Sequence, residues 1–263
     1  YPYFLGDIYM NGYRANRLEE MFAKKDKFEP QDFTDMQMDF MCIPGKIFGK
    51  LYKGLKFDTA ELQQAADGLA NWDGILSTDS LIGTYYKVTK YLMVKRIYMS
   101  ALPEKLAEEL LGKGFNPIYG PVNTFLGHNT HALLRMINNK ESFWLQKAGG
   151  KEKVLKEALK DALSWLKMNY GTNKKEWLWG KLHSIIIKHS FSEQVPMDKV
   201  FDVGPIEIGG DTDTLFQTAI LNQEGFGGEL ACPSYRQIVD FSNFDNSQII
   251  MPMGQSGNIA SPY

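Results

Sequence analysis

Between Glu152 and Tyr170 the apolar residues Val154, Leu155, Ala158, Leu159, Ala162, Leu163, Trp165 and Leu166 recur with the period of an α-helix, and Gly171 stands where a C-terminal cap is expected. Directly beyond this stripe the pattern changes. Ile185-Ile186-Ile187, Phe201 to Ile208, Thr214 to Leu221, Tyr235 to Phe241 and Gln248 to Met253 read as short strands separated by turn residues. A chain that is helical first and strand-forming afterwards belongs to the α+β class, not to an alternating α/β sheet. The expected division is a mainly helical segment over 1–172 and a β-rich segment over 173–263, together one structural unit of a larger domain.

Further helices are expected upstream. Leu18, Met21 and Phe22 start one that runs to Phe28. Glu29-Pro30-Gln31-Asp32 opens a second, carried by Phe33, Met36, Phe40 and Met41 until Pro44-Gly45 breaks it. Thr59 caps a third over Ala60 to Ala70, with Leu62, Ala65, Ala66 and Leu69 on one face, and the turn Trp72-Asp73-Gly74 ends it. Leu81 to Leu111 holds a helical pair whose second member begins at Pro103, and Gly112 to Thr130 reads as loop.

Bulk properties exclude more than they identify. A length of 263 residues is enough for a large core, and 44% hydrophobic with 23% charged residues is ordinary for a folded soluble chain. A formal net charge of -2 offers no electrostatic case for nucleic acid. Short lysine clusters such as Lys24-Lys25-Asp26-Lys27 read as solvated surface. No apolar run reaches the roughly 18 residues of a membrane span. Cys42 and Cys232 allow either two thiols or one disulfide.

Candidate chemistry is sparse. Gly209-Gly210-Asp211-Thr212-Asp213-Thr214 lacks the Gly-Lys-Ser/Thr end of a phosphate loop and the spaced acids of an EF-hand, so paired glycines shaping a tight turn are the expected role. The histidines His128, His131, His183 and His189 have no third ligand at metal spacing. His183 reads as a buried, hydrogen-bonded ring, and a hydrolase built on His183 and Asp211 is the weakest reading. No Ser sits on a Gly-x-Ser-x-Gly elbow. Arg14, in Asn11-Gly12-Tyr13-Arg14-Ala15-x-Arg17-Leu18, is the residue singled out: a guanidinium there holds a carboxylate or several carbonyls in fixed geometry. Asp32, Gln37 and Asp39 are candidates to bond the loops around it.

Four phrases in order then add a likeness: Trp179-Gly180-Lys181-Leu182-His183; Gly204-Pro205 leading to the glycine pair at 209–210; Ser234-Tyr235-Arg236-Gln237-Ile238-Val239-Asp240; and Gly254-Gln255-Ser256-Gly257 with Ser261-Pro262. With Asn11-Gly12-Tyr13-Arg14, Glu29-x-x-Asp32, Gln37-x-Asp39 and Trp72-Asp73-Gly74, they make the chain resemble the later part of the β-chain in the penicillin acylase (penicillin amidase) family of N-terminal-nucleophile hydrolases. The resemblance implies an αββα sandwich, of which this chain supplies later strands and a helical insertion. It implies cleavage of linear amides, penicillins or related N-acyl compounds, through an acyl-enzyme on an N-terminal Ser. An asparagine and a backbone N–H form the oxyanion hole in that family.

Tyr1 cannot be that nucleophile, so the catalytic Ser is expected upstream and the chain alone is expected to be inactive. By resemblance, Arg14 is the family arginine beside the active site, in a supporting role. The implied partners are the upstream part of the β-chain, an α-chain of the same precursor and a small-molecule amide. No cofactor is expected, and a periplasmic or extracellular setting is implied. The family's calcium site takes a ligand just upstream of this arginine, where this sequence has Tyr3 or Asp7; no metal is assigned from that. The competing class is a non-catalytic binding or assembly module that keeps the fold. An exposed apolar surface is a further expectation if part of a layered core lies elsewhere.

Overall fold

The computed structural model describes residues 3–4, 11–113, 129–220, 226 and 230–251, with main chain alone at 112, 113, 220, 230 and 231. In chain order the helices are α1 (Tyr13–Phe22), α2 (Pro30–Gln37), α3 (Ile43–Gly49), α4 (Ala60–Ala70), α5 (Leu81–Ala101), α6 (Glu104–Glu108), α7 (Thr130–Asn138), α8 (Phe143–Lys147), α9 (Lys151–Tyr170), α10 (Trp179–Leu182) and α11 (Asp198–Phe201).

Local chemistry accounts for several of the helix boundaries. The hydroxyls of Thr59, Ser80 and Ser142 accept N–H bonds from Leu62, Gly83 and Leu145, satisfying first-turn donors of α4, α5 and α8. Glu29 and Asp32 form a reciprocal capping box at the start of α2. Gly171 ends α9 with φ +71°, a conformation that glycine adopts without steric cost. Two expectations need correction. The first helix spans Tyr13–Phe22, earlier than Leu18 to Phe28, which places Arg14 inside it. Pro44 does not break a helix: α2 stops at Gln37, and Pro44 lies in the first turn of α3, where a missing N–H leaves no bond unmade. Most of the expected loop from Gly112 to Thr130 lies outside the described residues, although Glu109–Lys113 forms a π-helical turn and Thr130 already belongs to α7.

The core is organised around α5. Tyr85, Tyr86, Val88, Met93, Val94 and Ile97 join a cluster with Leu155, Leu159, Ala162 and Leu166 of α9 and Ala65, Ala66 and Leu69 of α4. Every residue from Gly83 to Lys90 is buried, so this stretch of α5 has no solvent face. That burial takes in two lysines.

The described strands make three antiparallel pairs. β1 (Ser184–Ile187) pairs with β2 (Val203–Glu207), Ser184 opposite Glu207, with an irregularity between Ile185 and Ile187. β3 (Ala219–Ile220) pairs with β4 (Leu230–Ala231), and β5 (Arg236–Ile238) with β6 (Gln248–Ile250). The mixed α+β character is therefore as expected, with helices first and strand pairs after. The strands themselves are shorter than the apolar runs suggested. Phe201 is helical, and Thr214 to Thr218 is a closed turn, not a strand. β2 and β6 are exposed along their whole length, and Val203, Ile206, Ile249 and Ile250 stand in solvent. Cys42 is buried, Cys232 half-buried, and both are free thiols.

Candidate functional site

The site grows from a main-chain ladder. Leu76 donates its N–H to Phe40 O (3.0 Å), and Cys42 donates to Gly74 O (2.8 Å). On the other side Gly210 N–H reaches Leu76 O (2.7 Å), Gly180 N–H reaches Thr78 O (2.7 Å) and Trp179 N–H reaches Ser80 O (3.2 Å). Residues 74–80 thus join the α2–α3 link, the start of α10 and the Gly209-Gly210 turn.

That turn closes on itself. Gly210 has φ +78°, and a Cβ there would lie 2.4 Å from Phe216 O, so glycine is required on two counts. Thr214 Oγ1 accepts from Asp211 N (2.9 Å) and donates to Phe216 O (2.6 Å), while Asp211 Oδ1 accepts from Asp213 N (2.8 Å). The expected turn chemistry is present, but the two carboxylates do more than shape backbone. Asp211 Oδ2 faces Lys87 Nζ at 2.9 Å and the Cys42 thiol at 3.6 Å, all buried. Asp213 Oδ2 accepts from Thr130 Oγ1 (3.1 Å), which accepts in turn from Lys90 Nζ (2.9 Å). Two lysines of α5 and two aspartates of the turn form a paired set with no net charge, as buried ions require.

Burial and charge shape their proton affinities. Desolvation raises Asp213 above the usual carboxylate range, and the neighbouring Asp211 charge adds to this. Desolvation also opposes the charge on Asp211, but the two lysines outweigh it and hold Asp211 low. Lys90 is pushed down to about 8 by desolvation and by Lys87. Burial alone would depress Lys87; Asp211 holds it above its ordinary value.

The far side of the turn meets α1. Asn11 Nδ2 donates to Asp213 Oδ1 (2.8 Å) and Arg14 Nη1 donates to Gln217 Oε1 (2.7 Å). One turn of helix on, Arg17 grips Asp39 with Nε and Nη2 (3.1 and 2.8 Å) and touches Glu20 with Nη1 (3.0 Å). Asp39 in turn presents its carbonyl to Phe216 N–H (3.1 Å). Of the residues named around Arg14, Asp39 does brace the region, through Arg17. Gln37 bonds Gln237 O in β5 (3.2 Å), and Asp32 caps α2 and pairs with Lys25, so neither reaches Arg14.

His183 is enclosed, as its apolar setting suggested. Its Nδ1 lies 2.6 Å from Phe226 O, and a carbonyl only accepts, so Nδ1 carries the proton. Nε2 then accepts from Thr218 Oγ1 (2.9 Å), and the ring stacks on Trp179 at 4.4 Å. Desolvation lowers the ring to about 4. Asp211 is engaged by Lys87, so a His183–Asp211 hydrolytic pair is absent. His131 is exposed against the Tyr13 hydroxyl (3.1 Å), and His189 packs on Phe201. Tyr3 is exposed, whereas His128, Asp7 and the phrase from Gly254 to Pro262 lie outside the described residues. Among the described residues no three His, Cys, Asp or Glu side chains converge as metal ligands, and no helix is long and apolar enough to cross a membrane.

Sequence reasoning passed over Lys87, Lys90, Thr130 and Gln217. The lysines did leave a signal: no acid occurs between Leu81 and Pro103, so cations on the buried part of that helix needed distant partners.

The chain belongs to the penicillin amidase family, whose profile matches residues 1–263. Among curated proteins it is similar to the acyl-homoserine lactone acylase QuiP of Pseudomonas syringae pv. syringae, 28% identical over 229 residues, covering 78% of this chain and 25% of that protein. QuiP of Pseudomonas aeruginosa is 26% identical over 281 residues, covering 95% and 32% respectively. The penicillin acylase 2 proenzyme of Pseudomonas sp. strain SE83 is 25% identical over 263 residues, covering 95% and 31%. The chain thus spans about a quarter to a third of the length of these relatives.

Proposed function

We propose that this chain is one part of an amide hydrolase that cleaves the linear amide of N-acyl compounds through an acyl-enzyme. The match of the family profile to the whole chain carries the reading. The names of the relatives narrow the substrate class. An acyl-homoserine lactone and a penicillin differ in the amine, but each joins an acyl group to it by a linear amide. N-acyl homoserine lactones stand ahead of penicillins, since QuiP is the name borne by most of the relatives found.

In this reading a Ser outside the chain, at the start of the mature β-chain, attacks the carbonyl and its own α-amine takes the proton. The tetrahedral intermediate collapses, the amine leaves, and water releases the acid. The chain itself contributes pocket walls and Arg14, and by itself is inactive. Its bare strands support this: β2 and β6 expose apolar side chains on a scale that suits cover by the upstream β-chain and the α-chain.

The test is expression of the complete precursor, with amine release followed from an N-acyl homoserine lactone and from a penicillin. Release of primary amine by a protein whose mass shows a processed N-terminal Ser is the expected result. Correctly processed chains that release amine from neither substrate would overturn the reading.

A further inference from the structure

We propose that Gln217 is a positioning residue that aims the Arg14 guanidinium while leaving its charge unneutralised; this rests on the reading of Arg14 as the arginine beside the reacting centre. Two arginines three residues apart on α1 are held in opposite ways. Arg17 is spent: Asp39 takes it in a two-bond fork and Glu20 takes the remaining side, so its charge is neutralised where it stands. Arg14 is held at 2.7 Å by a neutral amide oxygen, and among the described residues no carboxylate pairs with it. An amide fixes direction without quenching charge, so the donors Arg14 has left remain available to an anionic oxygen, either one developing on the scissile carbonyl or one carried by the substrate.

The holder is itself well anchored. Gln217 lies between Phe216, whose N–H bonds Asp39 O (3.1 Å), and Thr218, whose N–H bonds Asp211 O (3.1 Å) and whose hydroxyl bonds His183. Phe216 packs edge-on to Phe40 at 5.2 Å and lies beneath the Arg236 guanidinium at 4.6 Å. Asp213 fixes the other end of the same stretch through Asn11. The buried Lys–Asp set therefore braces a turn whose partly exposed side chain points the arginine.

The experiment uses the complete, processed enzyme and two substitutions. Gln217→Leu removes the acceptor, and Gln217→Glu keeps it but adds a charge. Each is expected to lower kcat/KM by roughly tenfold or more at pH 8, with the thermal midpoint within about 3 °C of the parent protein. The two differ in their profiles. The deficit of Gln217→Glu shrinks as pH falls toward its carboxyl titration and the amide-like neutral state returns, while that of Gln217→Leu is independent of pH. Both deficits vanish in an Arg14→Ala background. A Gln217→Glu enzyme of parental rate at pH 8, or a Gln217→Leu deficit undiminished beside Arg14→Ala, would overturn the proposal.

Hydrogen exchange over residues 11–17 scores the contact without reference to activity. Faster exchange in Gln217→Leu supports the proposal and unchanged exchange overturns it. A parent enzyme that is processed yet inactive on amides would sink the functional reading, and the exchange result would still stand on its own.

Discussion

Lys87 Nζ and Asp211 Oδ2 lie 2.9 Å apart with both side chains almost wholly enclosed, one from the first half of α5 and the other from the glycine turn 124 residues later. Each ion is tolerable there only because of the other. Lys87→Met, which strands the carboxylate, is expected to cost about 3–5 kcal/mol in denaturant unfolding. Adding Asp211→Asn, which keeps the acceptor for Asp213 N–H, should recover part of that loss. A cost under about 1 kcal/mol for Lys87→Met would mean that the pair does not hold the turn.

His183 sets an acid limit. Its ring titrates at about 4 in the folded chain against an ordinary value of 6.5, so between these values the unfolded chain binds the extra proton. Stability from this residue is complete above about 6.5 and is lost as pH falls toward about 4, at most by about 3 kcal/mol. His183→Gln can give and accept the same two bonds without titrating. Unfolding free energies measured from pH 7 to 4 should fall more steeply for the parent than for this variant; parallel curves would count against a buried, neutral ring.

Lys90 acts at the other end of the scale. Its folded value of about 8 lies below the ordinary 10.5, so across that interval the unfolded chain again holds more protons and stability rises with pH. The gain reaches about 3 kcal/mol at about 1.4 kcal/mol per pH unit. Cys42 and Lys87 are shifted upward and pull the opposite way at high pH, so the comparison to make is with Lys90→Met. The parent should gain on the variant between pH 8 and 10.5, as read from denaturant midpoints. A constant difference would show that Lys90 keeps its ordinary proton affinity.

Helix content was legible because the stripe of α9 and the Thr59 cap are local signals, and tertiary packing agreed with them. The strands were less so. The run near Thr214 looked longer than the pair that forms, because an Asp–Thr turn uses the same side-chain types to close on itself, and the run near Tyr235 stops short where Asp240 accepts from Ser242 N–H in a turn of its own. For the candidate site, Arg14 stood out by its neighbours in sequence, whereas Gln217, Lys87 and Lys90 acquire meaning only from partners 203, 124 and 40 residues away. No period or spacing encodes such a meeting. Pro44 shows the complementary limit, since a proline reads alike whether it stops one helix or starts the next.

The joint along residues 74–80 is made of peptide groups, not side chains. Its integrity is therefore blind to substitution at Ile75, Ser77 and Asp79, none of them a core residue, so long as the backbone path is kept. What the joint cannot absorb is an imino acid at Cys42, Leu76, Trp179, Gly180 or Gly210, where the donor itself would vanish. Divergent members of the family should accordingly vary at 75, 77 and 79 while keeping glycine at 210 and sharing a silent prohibition, the absence of proline at the other four donors.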